Sequence, residues 1–196
     1  MRILGLMTGT SVDSADFALV DFTLEGDTLH ARIADSGEKP WPRELRRRVL
    51  DAVTRAEIPS LAALTLLDAE VGEFLAGVVG DVRERATSGT DTPIDLVVSP
   101  GQTLFHNVEK GRTLATLAIG DPSRIHAATD IPTLGTVRSA DIARGGTGAP
   151  LAPLLDRLLL GPEGGCAINI GGIANATMCI PATVGTRKEP ALRAGD

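Results

Sequence analysis

Between residues 61 and 82, apolar side chains return at every third or fourth position: Leu61, Leu64, Leu67, Val71, Phe74, Val78 and Val82. That spacing lays one continuous stripe along an α-helix. A helix with such a stripe is held by tertiary packing and has to lie against a second apolar layer. Ser60 stands where its N-cap belongs. Gly72, Gly77 and Gly80 each weaken a helix interior by up to about 1 kcal/mol relative to Ala, so they mark places where another backbone comes close.

The strands supply that layer. Arg2 to Leu6 reads as a strand, followed by the polar loop Met7 to Ser14 and a second strand, Ala15 to Phe22. Glu25-Gly26-Asp27 is a turn signal, and Thr28 to Ala34 makes a third, shorter strand. Short turns between consecutive strands favour antiparallel neighbours. Pro40-Trp41-Pro42 breaks the chain, and from Arg43 the period becomes helical, with Leu45, Val49 and Val53 inward and Arg46, Arg47 and Arg48 as a solvated face. Ile58-Pro59 stops that helix. After a loop at Thr87 to Pro93, strands at Ile94 to Val98, Thr113 to Ile119 and Ile131 to Leu134 alternate with helices at Asp121 to Thr129, Arg138 to Ala143 and Leu151 to Leu160, the last ended by Gly161-Pro162. Asp121-Pro122 is a strong helix start, with Asp as cap and Pro in the first turn. This order predicts an α/β fold in which a mixed β-sheet is flanked by helices. A further hairpin, Cys166 to Ile180 around Gly171-Gly172, follows Gly165 and reads as the opening of a second domain.

Composition narrows the function. With 19 basic against 25 acidic residues and a net charge of −6, a nucleic-acid surface or a basic membrane-binding face is not expected. Four Phe, one Trp and no Tyr leave little to stack bases on. Apolar runs fall short of the ~20 residues that span a bilayer, and Met1 to Leu6 is too short for a signal peptide. Cys166 and Cys179 cannot make a disulfide framework, which points to a reducing, cytoplasmic setting and to inert core thiols. No clustered His accompanies them at the spacing of a zinc site.

Five loops, each at a strand end, could carry chemistry. Gly9-Thr10-Ser11 with Asp13 and Asp16 offers converging backbone N–H groups, hydroxyls and carboxylates, a phosphate loop in which Asp13 could hold Mg²⁺ through water. It is not the Walker A pattern, because no Gly-Lys-Ser/Thr follows. Pro100-Gly101-Gln102-Thr103 with His106 could hydrogen-bond sugar hydroxyls. Gly120-Asp121 lies where a strand gives way to a helix, a favourable ligand position in an open α/β sheet. Arg144-Gly-Gly-Thr-Gly-Ala-Pro150 suits close approach of backbone to a ligand, and Asn169-Ile-Gly-Gly-Ile-Ala-Asn175 is a hairpin tip able to grip a second phosphate. Each loop alone reads as well, and mostly more readily, as a turn, a cap or a connector. Together they describe a phosphate and polyol site.

These stretches resemble the anhydro-N-acetylmuramic acid kinases. The likeness is carried, in the family's order, by Gly5-Leu-Met-Thr-Gly-Thr-Ser-Val-Asp-Ser-Ala-Asp16, Gly101-Gln-Thr103, Leu117-Ala-Ile-Gly-Asp121, Asp141-Ile-Ala-Arg-Gly-Gly-Thr-Gly-Ala-Pro-Leu151 and Asn169 to Asn175. The resemblance implies the two-domain sugar kinase/Hsp70/actin (ribonuclease H-like) fold. It divides the chain into an N-terminal domain over 1–161, the first hairpin of an incomplete nucleotide domain over 165–180, and a tail over 181–196 that does not resemble the family. It implies ATP and Mg²⁺ as cofactors, and a reaction of bacterial cell-wall sugar recycling in which water opens the 1,6-anhydro ring and O6 takes the γ-phosphate, giving MurNAc-6-phosphate.

By the same resemblance Gly9, Thr10, Ser11, Val12, Asp13, Ser14, Ala15, Asp16, Asn169, Gly171, Gly172 and Asn175 contact the nucleotide. Gln102, Thr103, Gly120, Asp121, Asp141, Gly146 and Gly148 line the sugar side. Two departures bear on activity. Thr136 stands at the position of the family's catalytic aspartate, two residues before the retained Arg138, and a threonine hydroxyl cannot serve as a general base near neutral pH. Pro100 replaces the histidine of the family's His-Gly-Gln-Thr. The resemblance also covers only about half of the family's length. The expectation is therefore a sugar kinase by descent with impaired turnover. Its alternatives are an inactive relative, or one half of a split protein that pairs with a second copy or with a chain carrying the missing domain.

Overall fold

In the computed structural model, residues 1–26, 28–54, 59–87, 92–110, 112–160, 163–170, 174–180 and 192–194 are described. Two units emerge: Met1–Val20 with Ile33–Gly148, and Asp21–Arg32 with Ala149–Asp196. Each has its own construction.

Strands β1 (Arg2–Thr8), β2 (Ser14–Glu25), β3 (Thr28–Pro40), β4 (Leu96–Val98) and β7 (Thr133–Leu134) pair in the order β3-β2-β1-β4-β7, and all of them lie in the first unit except the Asp21–Arg32 segment of β2 and β3. The short links between β1, β2 and β3 leave room only for antiparallel neighbours. β4 runs parallel to β1, with Leu4 opposite Val97, and β7 runs parallel to β4, with Val97 opposite Thr133. The expected mixed sheet is thus present. β5 (Gln102–Glu109) and β6 (Arg112–Ile119) form a separate antiparallel ribbon that pairs Gln102 with Ile119. The polar turn expected at Gln102 and Thr103 is therefore the start of a strand. β3 also runs six residues beyond its expected end at Ala34. Its outer half, Asp35–Pro40, is a sheet edge held by Lys39–Asp81 and Arg85–Asp35 ion pairs, which an apolar pattern does not announce.

Helices α1 (Arg43–Thr54), α2 (Leu61–Thr87), α3 (Pro122–Thr129) and α4 (Val137–Ile142) complete this unit. The α2 stripe does what its spacing requires. Leu67, Val71, Val78 and Val82 are sealed in one cluster with Leu4, Leu6, Val12, Leu19 and Val97, and Leu64 and Phe74 pack against it. Leu61 is the exception, 85% exposed at the first position of the helix, beyond the reach of that cluster. Ser60 caps the helix, its hydroxyl accepting the N–H of Ala63 at 3.2 Å. Gly72 marks a true close approach: a Cβ there would lie 2.8 Å from the carbonyl oxygen of Asp121. Nothing comes within 4 Å at Gly80. In α1, Val49 is buried and Arg47 pairs with Glu44 and Asp51 on the solvated side. Its expected stop at Ile58 lies outside the described residues, which carry α1 through Thr54.

The second unit holds α5 (Pro153–Leu160), the antiparallel hairpin β8 (Gly165–Asn169) and β9 (Asn175–Cys179), and β10 (Leu192–Ala194), which lies parallel to Leu29–Ala31 of β3. Gly161-Pro162, Gly171-Gly172 and most of the 181–196 tail lie outside the described residues. The expectation of two core thiols fails for Cys166, which is exposed, whereas Cys179 is half-buried. Cys166 lies on the hairpin face that no described element covers. No helix among the described residues is long and apolar enough to cross a membrane.

Candidate functional site

Parallel pairing puts the carboxyl ends of β1, β4 and β7 on one edge of the first unit's sheet. In open α/β sheets that edge is where ligands sit. Here it carries the loop Gly9–Asp13 after β1, Ser99-Pro100 after β4, and Gly135-Thr136 after β7. A hydrogen bond ties the first two together, the Thr8 hydroxyl donating to the carbonyl of Gly101 at 3.0 Å. Gly101 has φ +67°, and a Cβ on it would fall 2.4 Å from the carbonyl oxygen of Ile119, so only glycine lets β5 begin against the end of β6.

A cavity of about 240 Å³ opens between these segments. The β4 end contributes Ser99, Pro100 and Gly101, and the end of β6 contributes Thr116 to Gly120. Asp121 and Pro122 come from the start of α3, Thr136, Arg138 and Ser139 from the start of α4, and Asp68 from α2. Asp121 caps α3, accepting from the backbone N–H of Ser123 at 2.9 Å and from its hydroxyl at 2.6 Å. The Ser123 hydroxyl, then its N–H, hold the Asp121 carboxyl below the usual carboxylate range, so it is an anion at neutral pH. Arg138 is the cation of the cavity wall. It is half-buried, and desolvation pushes its guanidinium below its ordinary value. One of its terminal nitrogens donates to the carbonyl of Gly148 at 2.9 Å, while its Nε is buried without a partner. Ser99 Oγ is likewise buried and unpartnered. Buried donors and acceptors left unpaired in a native fold need an account, and a polar ligand is one.

Sequence reasoning did not single out Asp68 or Ser99. Asp68 accepts the N–H of Gly120 at 2.7 Å and fixes the turn that presents Asp121. Nothing marks it on the α2 pattern, where it is one polar residue among several. Of the residues implied for the sugar side, Gly120 and Asp121 line the cavity. Gln102, Thr103, Asp141, Gly146 and Gly148 do not. Gln102 is 1% exposed, with Nε2 donating to the carbonyl of Thr103 and Oε1 unpartnered. The carboxylate of Asp141 accepts the N–H of Gly148 at 2.8 Å and so shapes its own loop. The Arg138–Gly148 bond ties that loop to a residue of the cavity wall. His106 Nε2 lies 3.5 Å from the Thr113 hydroxyl on the β5–β6 ribbon.

Thr136 lines the cavity and precedes α4 with φ 56° and ψ 19°. A β-branched residue in the left-handed region is strained, and its side chain makes no capping bond in return. Asp and Asn occupy that region several-fold more readily. The backbone here thus suits an aspartate better than the threonine present.

The Gly9–Asp13 loop is braced from several directions. Val12 is wholly buried at φ 49° and plugs the loop into the core. Arg46 of α1 donates to the carbonyl of Ser11 at 3.3 Å, and the backbone N–H of Trp41 to that of Asp13 at 3.3 Å. Arg46 thus does more than the solvated face that the α1 spacing predicts. The Ser11 hydroxyl donates to Asp13 at 2.7 Å. That bond first, then backbone N–H groups and the Arg46 charge, lower the Asp13 carboxyl from its ordinary value. Ser14 donates to Asp16 at 2.9 Å. Ala15 is buried, and Thr10 is exposed. Asn169 and Asn175 face one another across the β8–β9 register of the second unit.

A mixed sheet flanked by helices, with a cavity at its carboxyl edge, defines an α/β protein of ligand-binding type. A family model described as anhydro-N-acetylmuramic acid kinase matches residues 1–186, and the chain belongs to this family of sugar kinases. Proteins of that name from Streptomyces coelicolor, Acaryochloris marina and Coxiella burnetii are similar to it. The first is 39% identical over 184 residues, covering 92% of this chain and 46% of the relative. The second is 40% identical over 185 residues, covering 93% and 48%. The third is 41% identical over 180 residues, covering 90% and 45%. The chain therefore spans about half the length of the curated relatives it matches.

Proposed function

We propose that this chain is the phosphate- and sugar-binding half of an ATP-dependent anhydro-N-acetylmuramic acid kinase, impaired in turnover on its own. One observation carries the reading. Parallel β1, β4 and β7 bring a hydroxyl- and carboxylate-bearing loop to the same sheet edge as a cavity with an anion, Asp121, and a half-buried cation, Arg138. The reaction opens the 1,6-anhydro ring with water and transfers the γ-phosphate to O6, within cytoplasmic recycling of cell-wall sugar.

The residues after β1 fit ATP with Mg²⁺. Asp13 keeps one carboxylate oxygen engaged by Ser11 and Ser14 and is ionised at neutral pH. A Mg²⁺ here would be held mainly by water and phosphate oxygens, with Asp13 reaching it through water. When bound, the ion would neutralise charge on the transferring phosphoryl group. The Asn169–Asn175 hairpin would grip a second phosphate; of its tip, Gly171 and Gly172 lie outside the described residues.

The impairment follows from Thr136. The attacking water has to lose a proton, and a neutral hydroxyl that itself ionises far above pH 7 cannot take it. The test is purified chain with ATP, Mg²⁺ and anhydro-MurNAc, following MurNAc-6-phosphate against the full-length Streptomyces coelicolor relative. A rate far below the relative's is expected. Thr136→Asp should raise it, up to the ~10²–10⁴-fold that a positioned base contributes. Turnover by the unaltered chain at the relative's rate overturns the impairment. Absence of both nucleotide and sugar binding by calorimetry overturns the reading as a whole.

A further inference from the structure

Arg138 and Asp141 stand three residues apart on α4, a spacing that puts both on one face of the helix. Gly148 is hydrogen-bonded to each of them. The Asp141 carboxylate accepts its N–H at 2.8 Å, and a terminal nitrogen of Arg138 donates to its carbonyl at 2.9 Å. Gly148 is buried at φ +69°, and a Cβ on it would fall 2.7 Å from the end of the Ile142 side chain. The preceding turn wraps the same carboxylate so closely that a Cβ on Gly146 would fall 2.1 Å from its Oδ2. The Gly146 N–H donates to the Asp141 backbone carbonyl at 3.0 Å. From β6 the Thr113 hydroxyl donates to the carbonyl of Thr147 at 3.0 Å. The peptide unit joining Thr147 to Gly148 is therefore held at its oxygen by Thr113 and at its nitrogen by Asp141.

These contacts change what the glycines of the loop are for. Gly146 and Gly148 make room for the Asp141 carboxylate and for α4, where the resemblance has them make room for sugar. The carbonyl of Gly148 in turn holds the guanidinium that supplies positive charge to the cavity wall. An arginine side chain loses much rotamer freedom when it is held in one place, so an acceptor that is itself fixed preorganises it for a ligand. We propose that Asp141 is a positioning residue: through the backbone of Gly148 it fixes the Arg138 guanidinium at the cavity wall, and it sets the affinity of the cavity for the sugar without touching the sugar. The effect on affinity rests on the reading of this cavity as the sugar site. The coupling of Asp141 to Arg138 needs no ligand.

The test compares the chain with Asp141→Ala, which removes the acceptor, and with Asp141→Asn, whose side-chain oxygen can still accept the Gly148 N–H. Proton exchange at Arg138 Nε, which is buried without a partner, is followed in ¹H–¹⁵N spectra, its signal assigned by its absence in Arg138→Lys. Binding of anhydro-MurNAc is followed by calorimetry. Asp141→Ala should speed the exchange and weaken sugar binding, each by about tenfold, and Asp141→Asn should bring both back to within about threefold of the unaltered chain. Arg138→Ala together with Asp141→Ala should weaken binding no more than Arg138→Ala alone, because Asp141 acts through Arg138. A role confined to holding the fold together would lower the urea midpoint of Asp141→Ala and leave exchange and affinity where they were, and that result overturns the proposal. Additive losses in the double variant overturn it too, since Asp141 would then meet the sugar itself. So do equal losses in the Ala and Asn variants, which would show that the acceptor for Gly148 is not what matters. If the unaltered chain binds no sugar, the reading of the cavity fails, and the exchange comparison still decides whether Asp141 fixes Arg138.

Discussion

β1 and β8 are both short strands of alternating apolar residues, and their fates are opposite. Leu4 and Leu6 on β1 are sealed beneath α2, together with Val97 of the neighbouring β4. Ile168 on β8 has α5 on its other side and meets solvent. The difference lies in what the rest of the chain brings to each sheet. A strand pattern states that a face is fit for burial, and only a second layer carries the burial out. The first unit has its layer in α2. The hairpin has half of one.

The largest test of this contrast is truncation on either side of it. Leu75→Ala, deep in the first unit's core, should destabilise by about 2–5 kcal/mol in urea unfolding, whereas Ile168→Ala should stay within about 0.5 kcal/mol. Equal losses would mean that the hairpin face is buried in solution. Next comes the cavity wall. Asp68→Ala leaves the buried N–H of Gly120 without its acceptor and should cost about 1–3 kcal/mol, with Asp121→Ala nearer 1 kcal/mol as a lost N-cap. Both are read from denaturant midpoints at constant slope.

Strain at Thr136 gives a smaller effect of opposite sign. Thr136→Gly should stabilise by about 0.5–1 kcal/mol, since glycine accepts φ 56° freely. A loss of stability would show that Thr136 leaves the left-handed region in solution. The smallest effect concerns acid. Asp13 and Asp121 are held below the usual carboxylate range, chiefly by Ser11 and Ser123 hydroxyls. The folded chain therefore binds those protons less readily than the unfolded chain. Their contribution is complete above about pH 4 and fades as the pH falls through the lowered values. Asp121→Asn should flatten the acid limb of a stability–pH curve, and Asp13→Asn more weakly still, because Asp13 is fully exposed.

The mixed sheet, the α2 stripe, the Ser60 and Asp121 caps and the hairpin were all legible, because each rests on local period or on capping chemistry. β5 was not. Gln102–Glu109 has no clean alternation, and its register slips between Thr103 and Phe105 and again between Asn107 and Val108. Long-range roles were hidden as well. Asp68 and Arg46 gain theirs from residues dozens of positions away, and the spacing of α1 and α2 assigns both to solvent. Cys166 erred the other way: its alternating neighbours announce a core that α5 supplies on one side alone.

Val12 carries a last consequence. A hydrophobic anchor in the middle of a polar turn, fastened further by Trp41 and Arg46, freezes the backbone of that turn before any guest arrives. On the proposed reading, a nucleotide meeting so rigid a seat would forfeit little conformational freedom on arrival, and the heat of association would reflect contact more than rearrangement. Loosening the anchor with Val12→Ala would, on that reading, shift the thermodynamic signature toward ordering while every polar group of the loop stays in place.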